Sequence, residues 1–593
     1  MTIPSGQAKD GGGEARRAHP AARGRPARAP AAWLALLALG ALGTPALHAQ
    51  TVPATRPVPG AGSVLRETVP SAPRPVTPPA PGALPALPAT PPPAAAPAGP
   101  AFVLRQVRFN GNQVFSENQL APLVADALGR PVRLADLRAL AARVTRFYHE
   151  AGYVLAQVVL PPQDVSSGTV TLSVLEGHLG RLRIERAGRL MVAERTIRAA
   201  TAALTPGQPL RAAVLERALL LLNDTPGLVS EASLEPANEP GAFDLIIELK
   251  PAKPFNYTVD ADNYGVRTTR EVRAGGFLRV NSPFGIGDNL DLRALGSFGS
   301  GVGFGRIGYE APLGIAGLRA GISYAHLDYH LRKELAPLDA TGRARVIEAA
   351  LNYPFLRSRN RNLFVRAGFD RKKLTDRIDV LALRSDKSLR SFSVGAVYEA
   401  RDRYWTGGYT TAALTIHRGR LEIESPDAFA LDQGPGGLRT DGHYTRAVYQ
   451  VSRLQAVSDR TSVLVALAGQ WANRNLDSAE KLAAGGPQAV RAYASSAGLG
   501  DEVHVLNAEY RWSFRPEATA SLFYDVGRVE AINHDPQPGV ANRRTLRGFG
   551  VGLFWTPLPG LSLRTSLAWR ATGREPGAGD RNPRLFAQLV QTF

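Results

Sequence analysis

Two residues stand out for chemistry that depends on shape as well as charge. Arg491 lies in the run Val490-Arg491-Ala492-Tyr493 after a Gly-Gly-Pro break, and Asp525 lies in Phe523-Tyr524-Asp525-Val526-Gly527. A planar guanidinium matches a carboxylate through two parallel hydrogen bonds, so such a pair fixes one segment against another with geometric specificity. The run around Arg491 belongs to a connection, 474–502, much longer than a hairpin needs. Period-two alternation around Asp525 puts Phe523, Asp525 and Gly527 on one face of a strand and Leu522, Tyr524 and Val526 on the other. On composition alone, an ordinary surface loop and a solvated carboxylate account for the same residues equally well.

Enzymatic constellations are missing. The chain has no cysteine, which excludes thiolate catalysis, disulfide frameworks and Cys-based metal sites. Its ten histidines form no HExxH arrangement, and no nucleophile elbow occurs. The glycines Gly299, Gly301, Gly303 and Gly305 fall between hairpin strands and open no helix, which argues against a phosphate loop. His149-Glu150 reads as the solvated last turn of an amphipathic helix. No catalytic, cofactor-binding or metal-ligating residue is nominated. The formal charge of +19 is dispersed over strands without an RNA-binding signature, so no nucleic-acid partner is expected.

The elements that must position Arg491 and Asp525 are strands. After Pro251, segments of about ten residues alternate between apolar and polar, and no convincing amphipathic helix appears. In Glu502–Phe514, for example, Leu506, Ala508, Tyr510, Trp512 and Phe514 oppose Asn507, Glu509, Arg511 and Ser513. Arg and Lys recur on the polar face, as a hydrated lumen allows and a packed sandwich core does not. Aromatic residues such as Tyr257, Phe284, Tyr309, Trp405, Trp512 and Trp555 fall at strand ends, where membrane girdles belong. Sixteen strands are predicted, beginning near Phe255, Arg273, Asn289, Val302, Leu318, Ala344, Asn362, Ser391, Tyr409, Tyr444, Ser462, Val503, Thr519, Thr545, Leu561 and Leu585. An even number lets an antiparallel transmembrane β-barrel close with both termini on one side. The last strand ends on Phe593, placed at the closing seam, where Gln591 interrupts the apolar phase of Leu589 and Phe593.

Ahead of the barrel the chain changes texture. Residues 1–49 read as a secretory signal peptide: a basic stretch, the apolar run Ala31–Leu42, then the small-residue exit Leu47-His48-Ala49. Residues 50–100 form a Pro/Ala-rich linker whose prolines prevent helix and sheet. The island Gly62–Val69 can form a short helix, below the length of an independently stable one. Two α+β modules follow, 101–180 and 181–250, each in the order β-α-α-β-β, with helices predicted at Glu117–Leu128, Leu134–Tyr148, Val192–Ala203 and Leu210–Asn223.

The first module carries Tyr148-His149-Glu150-Ala151-Gly152-Tyr153, then Leu160-Pro161-Pro162-Gln163-Asp164-Val165, Gly168 and Val174-Leu175-Glu176-Gly177; the second carries Leu221-Leu222-Asn223-Asp224-Thr225-Pro226-Gly227. These runs resemble the periplasmic POTRA domains of two-partner secretion outer-membrane transporters, the haemolysin secretion/activation (ShlB/FhaC/HecB-like) family of the BamA-like superfamily. The POTRA motif residues are Tyr153, Pro162, Gln163, Asp164, Gly168, Glu176 and Gly177. The resemblance implies two small α+β POTRA domains before a 16-stranded barrel in the bacterial outer membrane, with the POTRA domains in the periplasm. It implies that loop 474–502 folds inward and that Arg491 meets Asp525, with Val490, Tyr493, Phe523 and Gly527 around them. Ala492 departs from the family's Gly. An N-terminal helix often plugs such barrels, and Gly62–Val69 is the one candidate segment.

The implied function is passage of a haemolysin- or adhesin-like exoprotein, captured by the POTRA domains through its N-terminal secretion domain and passed to the surface without ATP. Its partners are that exoprotein, outer-membrane lipid and, during biogenesis, the barrel assembly machinery. Neither an enzyme nor a cofactor is implied. A BamA-like assembly factor or insertase is the alternative, against which two POTRA repeats count.

Overall fold

The structure, a computed structural model, describes residues 58–68, 100–536, 538–539, 541–572 and 580–593. The export signal and most of the Pro/Ala-rich linker lie outside the described residues.

Sixteen antiparallel strands close into a barrel: Phe255–Asp262, Arg273–Asn281, Asn289–Ser297, Val302–Pro312, Arg319–His330, Ala340–Arg357, Arg361–Ile378, Leu383–Asp402, Gly408–Ile423, Gly442–Ala456, Thr461–Ala472, Glu502–Arg515, Ala518–Glu530, Arg543–Leu558, Leu561–Arg570 and Arg584–Thr592. The dyad pattern explains the wall. On the thirteenth strand Leu522 and Tyr524 are exposed on the outside, while Phe523 and Asp525 are buried inside. The strands predicted at Ala344 and Ser391 begin earlier, at Ala340 and Leu383, because strands six to eight run on as long hairpins in which charged residues replace the apolar phase. A helix, Pro426–Gln433, interrupts the run of strands; none of its residues is buried, so amphipathic periodicity could not have revealed it. The last strand pairs with the first from Gln588↔Asp262 to Thr592↔Thr258.

Both N-terminal modules are three-stranded sheets backed by helices. In the first, Gln106–Asn110 runs parallel to Thr169–Leu175, which pairs antiparallel with Gln157–Val159. In the second, His178–Arg186 runs parallel to Ala242–Pro251, which pairs antiparallel with Leu228–Pro236. The helix predicted at Glu117–Leu128 is one turn, Glu117–Leu120, continued by two 3-10 turns through Ala127. Pro122 at the break has no N–H to continue an α-helical ladder. The strand predicted from Tyr153 starts only at Gln157, because Ala156 N–H donates to Tyr153 C=O and closes a turn.

The second module is docked on the barrel's near rim. Asp224 receives two hydrogen bonds from Arg357, 2.7 and 2.8 Å, Arg217 donates to Pro354 C=O at 2.9 Å, and Thr196 donates to Ile286 C=O at 2.8 Å. The segment Ala61–Thr68 is a helix enclosed by the barrel wall: Ala61, Val64 and Leu65 pack with Leu327, Tyr329, Ala344 and Leu374. Too short to hold itself in water, it is held by burial and by end contacts. Ala61 N–H donates to Asp376 at 2.6 Å, Arg66 donates to Ala479 C=O, and Arg273 donates to Glu67 C=O at 2.9 Å.

Candidate functional site

The long connection between strands eleven and twelve turns back into the barrel. Its limbs form a small ladder, Leu482-Ala483 against Leu499-Gly500. Its tip reaches the wall through Arg491, which donates from Nε to Asp525 Oδ2 at 2.8 Å and from Nη2 to Asp525 Oδ1 at 2.7 Å. The backbone N–H of Arg491 adds a third bond to Asp525, 3.1 Å. The third guanidinium nitrogen, Nη1, donates to Glu509 at 2.6 Å, and the planar group lies 3.4 Å above the Phe523 ring. Asp525 is fully buried, and Asn507 also donates to it at 2.6 Å. One arginine is thus clamped between two carboxylates over an aromatic face, a set of charge-assisted contacts that a lysine cannot reproduce.

Neighbouring residues shape the seat. Val490 is fully buried, and a side chain at Gly527 would meet its Cγ2 at 2.9 Å, so the glycine is what lets the loop tip approach. Ala492 is accommodated in the same way: a Cβ at Gly548 would lie 2.6 Å from that of Ala492. Tyr493 donates from its hydroxyl to Thr572 C=O at 3.1 Å and lies under Arg570.

Three partners of this site were not singled out from sequence: Glu509, Asn507 and Arg511, which pairs with Glu509 at 2.8 Å. Their signal was present, since all three fall on the polar face of the twelfth strand, but only the barrel's curvature brings that strand beside Asp525. The loop's base was missed as well. Glu480 is 2.5 Å from Lys372 and 2.6 Å from Arg446, Asp477 is 2.7 Å from Lys387, and Asp501 is 3.1 Å from Lys481. The loop is therefore pinned at base and tip.

The motif residues of the first module are placed otherwise: most hold the module's own turns. Glu176 accepts from Val114 N–H at 2.7 Å and from the Tyr148 hydroxyl at 2.9 Å, a burial that pushes the Tyr148 phenol above its ordinary pKa. Gln163 brackets the backbone of Thr171 with bonds of 2.7 and 2.8 Å, and Asp164 accepts from Ser166 N–H at 2.9 Å. Gly168 and Gly177 take φ of 77° and 72°. Tyr153 joins a cluster with Phe115 and Tyr148, while Pro162 is exposed. At the far end, Phe593 stacks on Tyr257 of the first strand with ring centroids 4.6 Å apart.

A closed sixteen-stranded barrel, an inward loop and an N-terminal module of POTRA type define an outer-membrane transporter with its POTRA side in the periplasm. The profile for "Haemolysin secretion/activation protein ShlB/FhaC/HecB" matches residues 241–555, more than half of the chain, and "POTRA domain, ShlB-type" matches residues 102–177. The chain belongs to this haemolysin secretion/activation family of two-partner secretion transporters. It is 26% identical over 506 residues to the heme/hemopexin transporter protein HuxB of Haemophilus influenzae, covering 84% of this chain and 88% of the relative. It is 24% identical over 475 residues to the outer membrane transporter CdiB of Escherichia coli, covering 77% of each. The solved structure of CdiB from Escherichia coli superposes with a TM-score of 0.67 at 22% identity, over 85% of this chain and 93% of that one, a likeness of fold. These relatives are transporters and not enzymes.

Proposed function

We propose that this outer-membrane translocator captures a secreted exoprotein of haemolysin or adhesin type through its periplasmic modules, both read as POTRA domains, and passes it through the barrel without ATP. The observation that carries the reading is the loop pinned across a polar lumen by Arg491, Asp525 and Glu509. A barrel that must open for a polypeptide needs a removable obstruction held by discrete bonds.

Capture has a physical basis in the edge of strand Gln106–Asn110, which among the described residues pairs on one side only and can accept an extended chain by strand addition. Folding outside makes return unfavourable, so no nucleotide is needed to give direction. Arg491 and Asp525 hold the loop, Val490, Tyr493, Phe523 and Gly527 shape its seat, and Phe593 serves insertion by the barrel assembly machinery.

The test is reconstitution of the full chain in liposomes with a candidate exoprotein of haemolysin or adhesin type, following entry of that protein in the absence of any nucleotide. Transport that requires ATP sinks the energetic claim. If depletion in cells lowers outer-membrane proteins broadly and leaves the exoprotein exported, the chain acts as a BamA-like assembly factor instead.

A further inference from the structure

The barrel's outer face carries a feature that transport does not use. On the seventh strand, Lys372 points inward to Glu480 of the loop, so alternation turns Arg371 and Lys373 outward, and both are exposed. On the eighth strand Leu389 is fully buried and Arg390 faces out; on the ninth Leu421 is buried and Arg420 faces out. Register puts these arginines side by side, Arg371 opposite Arg390 and Arg390 opposite Arg420. Three guanidinium groups thus share one row on adjacent strands, about 10 Å from end to end at a strand spacing of about 4.8 Å.

Like charges directly opposite one another destabilise a sheet, so the row calls for an anion. The protein supplies little of one. Glu422 lies 3.1 Å from Arg420 and 3.9 Å from Arg390. The row is extended by the outward-facing Arg345 and Lys373, which are cross-strand partners.

Height along the wall identifies the anion. Below Arg371 the outward positions of the seventh strand are Phe369, Ala367, Val365 and Leu363, and then Arg361. The neighbouring strand presents Phe392 and Val394, both more than half exposed, and Phe392 packs on Phe369 with ring centroids 4.8 Å apart. At about 3.4 Å per residue and a tilt of about 40°, Arg361 and Arg371 are about 26 Å apart along the membrane normal, the height of a barrel's apolar band. Arg357, on the rim to which the second module docks, marks the periplasmic end. The arginine row therefore borders the apolar band on its outer side. An occupant must meet cations with its head while its chains lie against Phe392 and Val394, which excludes a purely soluble polyanion.

We propose that Arg371, Arg390 and Arg420, with Arg345 and Lys373 above them, bind the phosphorylated glycolipid headgroup of the outer leaflet. Phosphate oxygens accept from guanidinium forks in the geometry that makes arginine the preferred partner. The bound lipid relieves the repulsion along the row and fastens the wall of strands six to nine.

The test uses the full-length protein in detergent, with bis-phosphorylated lipid A as probe and dephosphorylated lipid A and phosphatidylglycerol as comparators, binding being read by native mass spectrometry. The unaltered protein is expected to hold bis-phosphorylated lipid A at least tenfold more tightly than either comparator. The variant R371Q/R390Q/R420Q is expected to lose that margin while retaining heat-modifiable migration. Should it fail to fold, R371Q alone decides, with a several-fold weakening expected. Unchanged lipid A binding in the folded variants, or equal binding of the dephosphorylated lipid or phosphatidylglycerol, overturns the proposal. So does heparin, added as a further probe, if it binds the unaltered protein and not the variant while lipid A binding is intact, which assigns the row to a soluble polyanion.

Discussion

Replacing Arg491 by alanine removes four directional contacts at once: two side-chain bonds to Asp525, one to Glu509 and the stacking on Phe523; only the backbone N–H at 491 still faces Asp525. Asp525, fully buried, then keeps only neutral donors, Asn507 and the backbone N–H at 491, while Glu509 keeps Arg511. Breaking a buried pair by deleting one partner costs about 3 to 5 kcal/mol because the other charge stays uncompensated. Here the stranded carboxylates have another escape, since a departing loop admits lumenal water. The cost is therefore expected in loop placement and not in barrel folding, as a shift on the order of 10²- to 10³-fold in the ratio of seated to displaced loop. Planar-bilayer conductance should show more open time, and protease should cut within 474–502. Secretion should nevertheless fall steeply, because an unseated loop has no fixed position and obstructs a polypeptide where small ions pass, while heat-modifiable migration stays normal. Asp525→Ala should resemble it. Arg491→Lys should recover little, because one ammonium cannot span Asp525 and Glu509 together. Exchanging the charges, Arg491→Asp with Asp525→Arg, should fail to rescue, since the new carboxylate would face Glu509. The deciding measurement is a double-mutant cycle on loop protection: additivity within about 0.5 kcal/mol between Arg491→Ala and Asp525→Ala would refute the pairing argument.

Three further outcomes follow from the same contacts. Deleting Phe102–Glu248 should leave a membrane-inserted, conducting barrel that secretes nothing, because the proposed function assigns capture to the N-terminal modules and conduction to the barrel; continued secretion would contradict this. Replacing Phe593 by Glu should lower the amount of assembled protein in the outer membrane, since the ring stacks on Tyr257 across the closing seam and Phe593 N–H donates to Tyr257 C=O at 3.0 Å; undiminished heat-modifiable protein would count against that role. In the second module, burial pushes the Asp244 carboxyl up, but the Arg181 N–H and the Arg181 and Arg183 guanidiniums outweigh it and hold the group below the usual aspartate range. A lowered folded-state pKa stabilises above the ordinary aspartate value and loses that contribution as pH falls through the folded one. Hydrogen exchange of strands His178–Arg186 and Ala242–Pro251 should therefore accelerate in acid, and Asp244→Asn should flatten the dependence.

The strand pattern after Pro251 was legible in the sequence because a barrel wall imposes a period of two on every strand, apolar toward lipid and polar toward the lumen. That is why the starts at Phe255, Arg273, Asn289, Val302 and Leu561 fall where the strands begin. The facing of Phe523, Asp525 and Gly527 followed from the same alternation, and the β-α-α-β-β order of the two N-terminal modules from helical periodicity and turn residues. What the chain alone could not decide depends on contacts between segments far apart in it. The helix Ala61–Thr68 is too short for local propensity to stabilise and forms because the barrel encloses it, capped by Asp376 and anchored to Ala479. Pro122 broke a helix whose apolar spacing read as continuous. Glu509 and Asn507 looked like any lumen-facing polar residues until the barrel closed and brought the twelfth strand, the thirteenth strand and the loop tip together around one guanidinium. Local periodicity is written within a single segment; the partners of a buried charge are chosen by the closure of the whole sheet, and only the tertiary structure contains that choice.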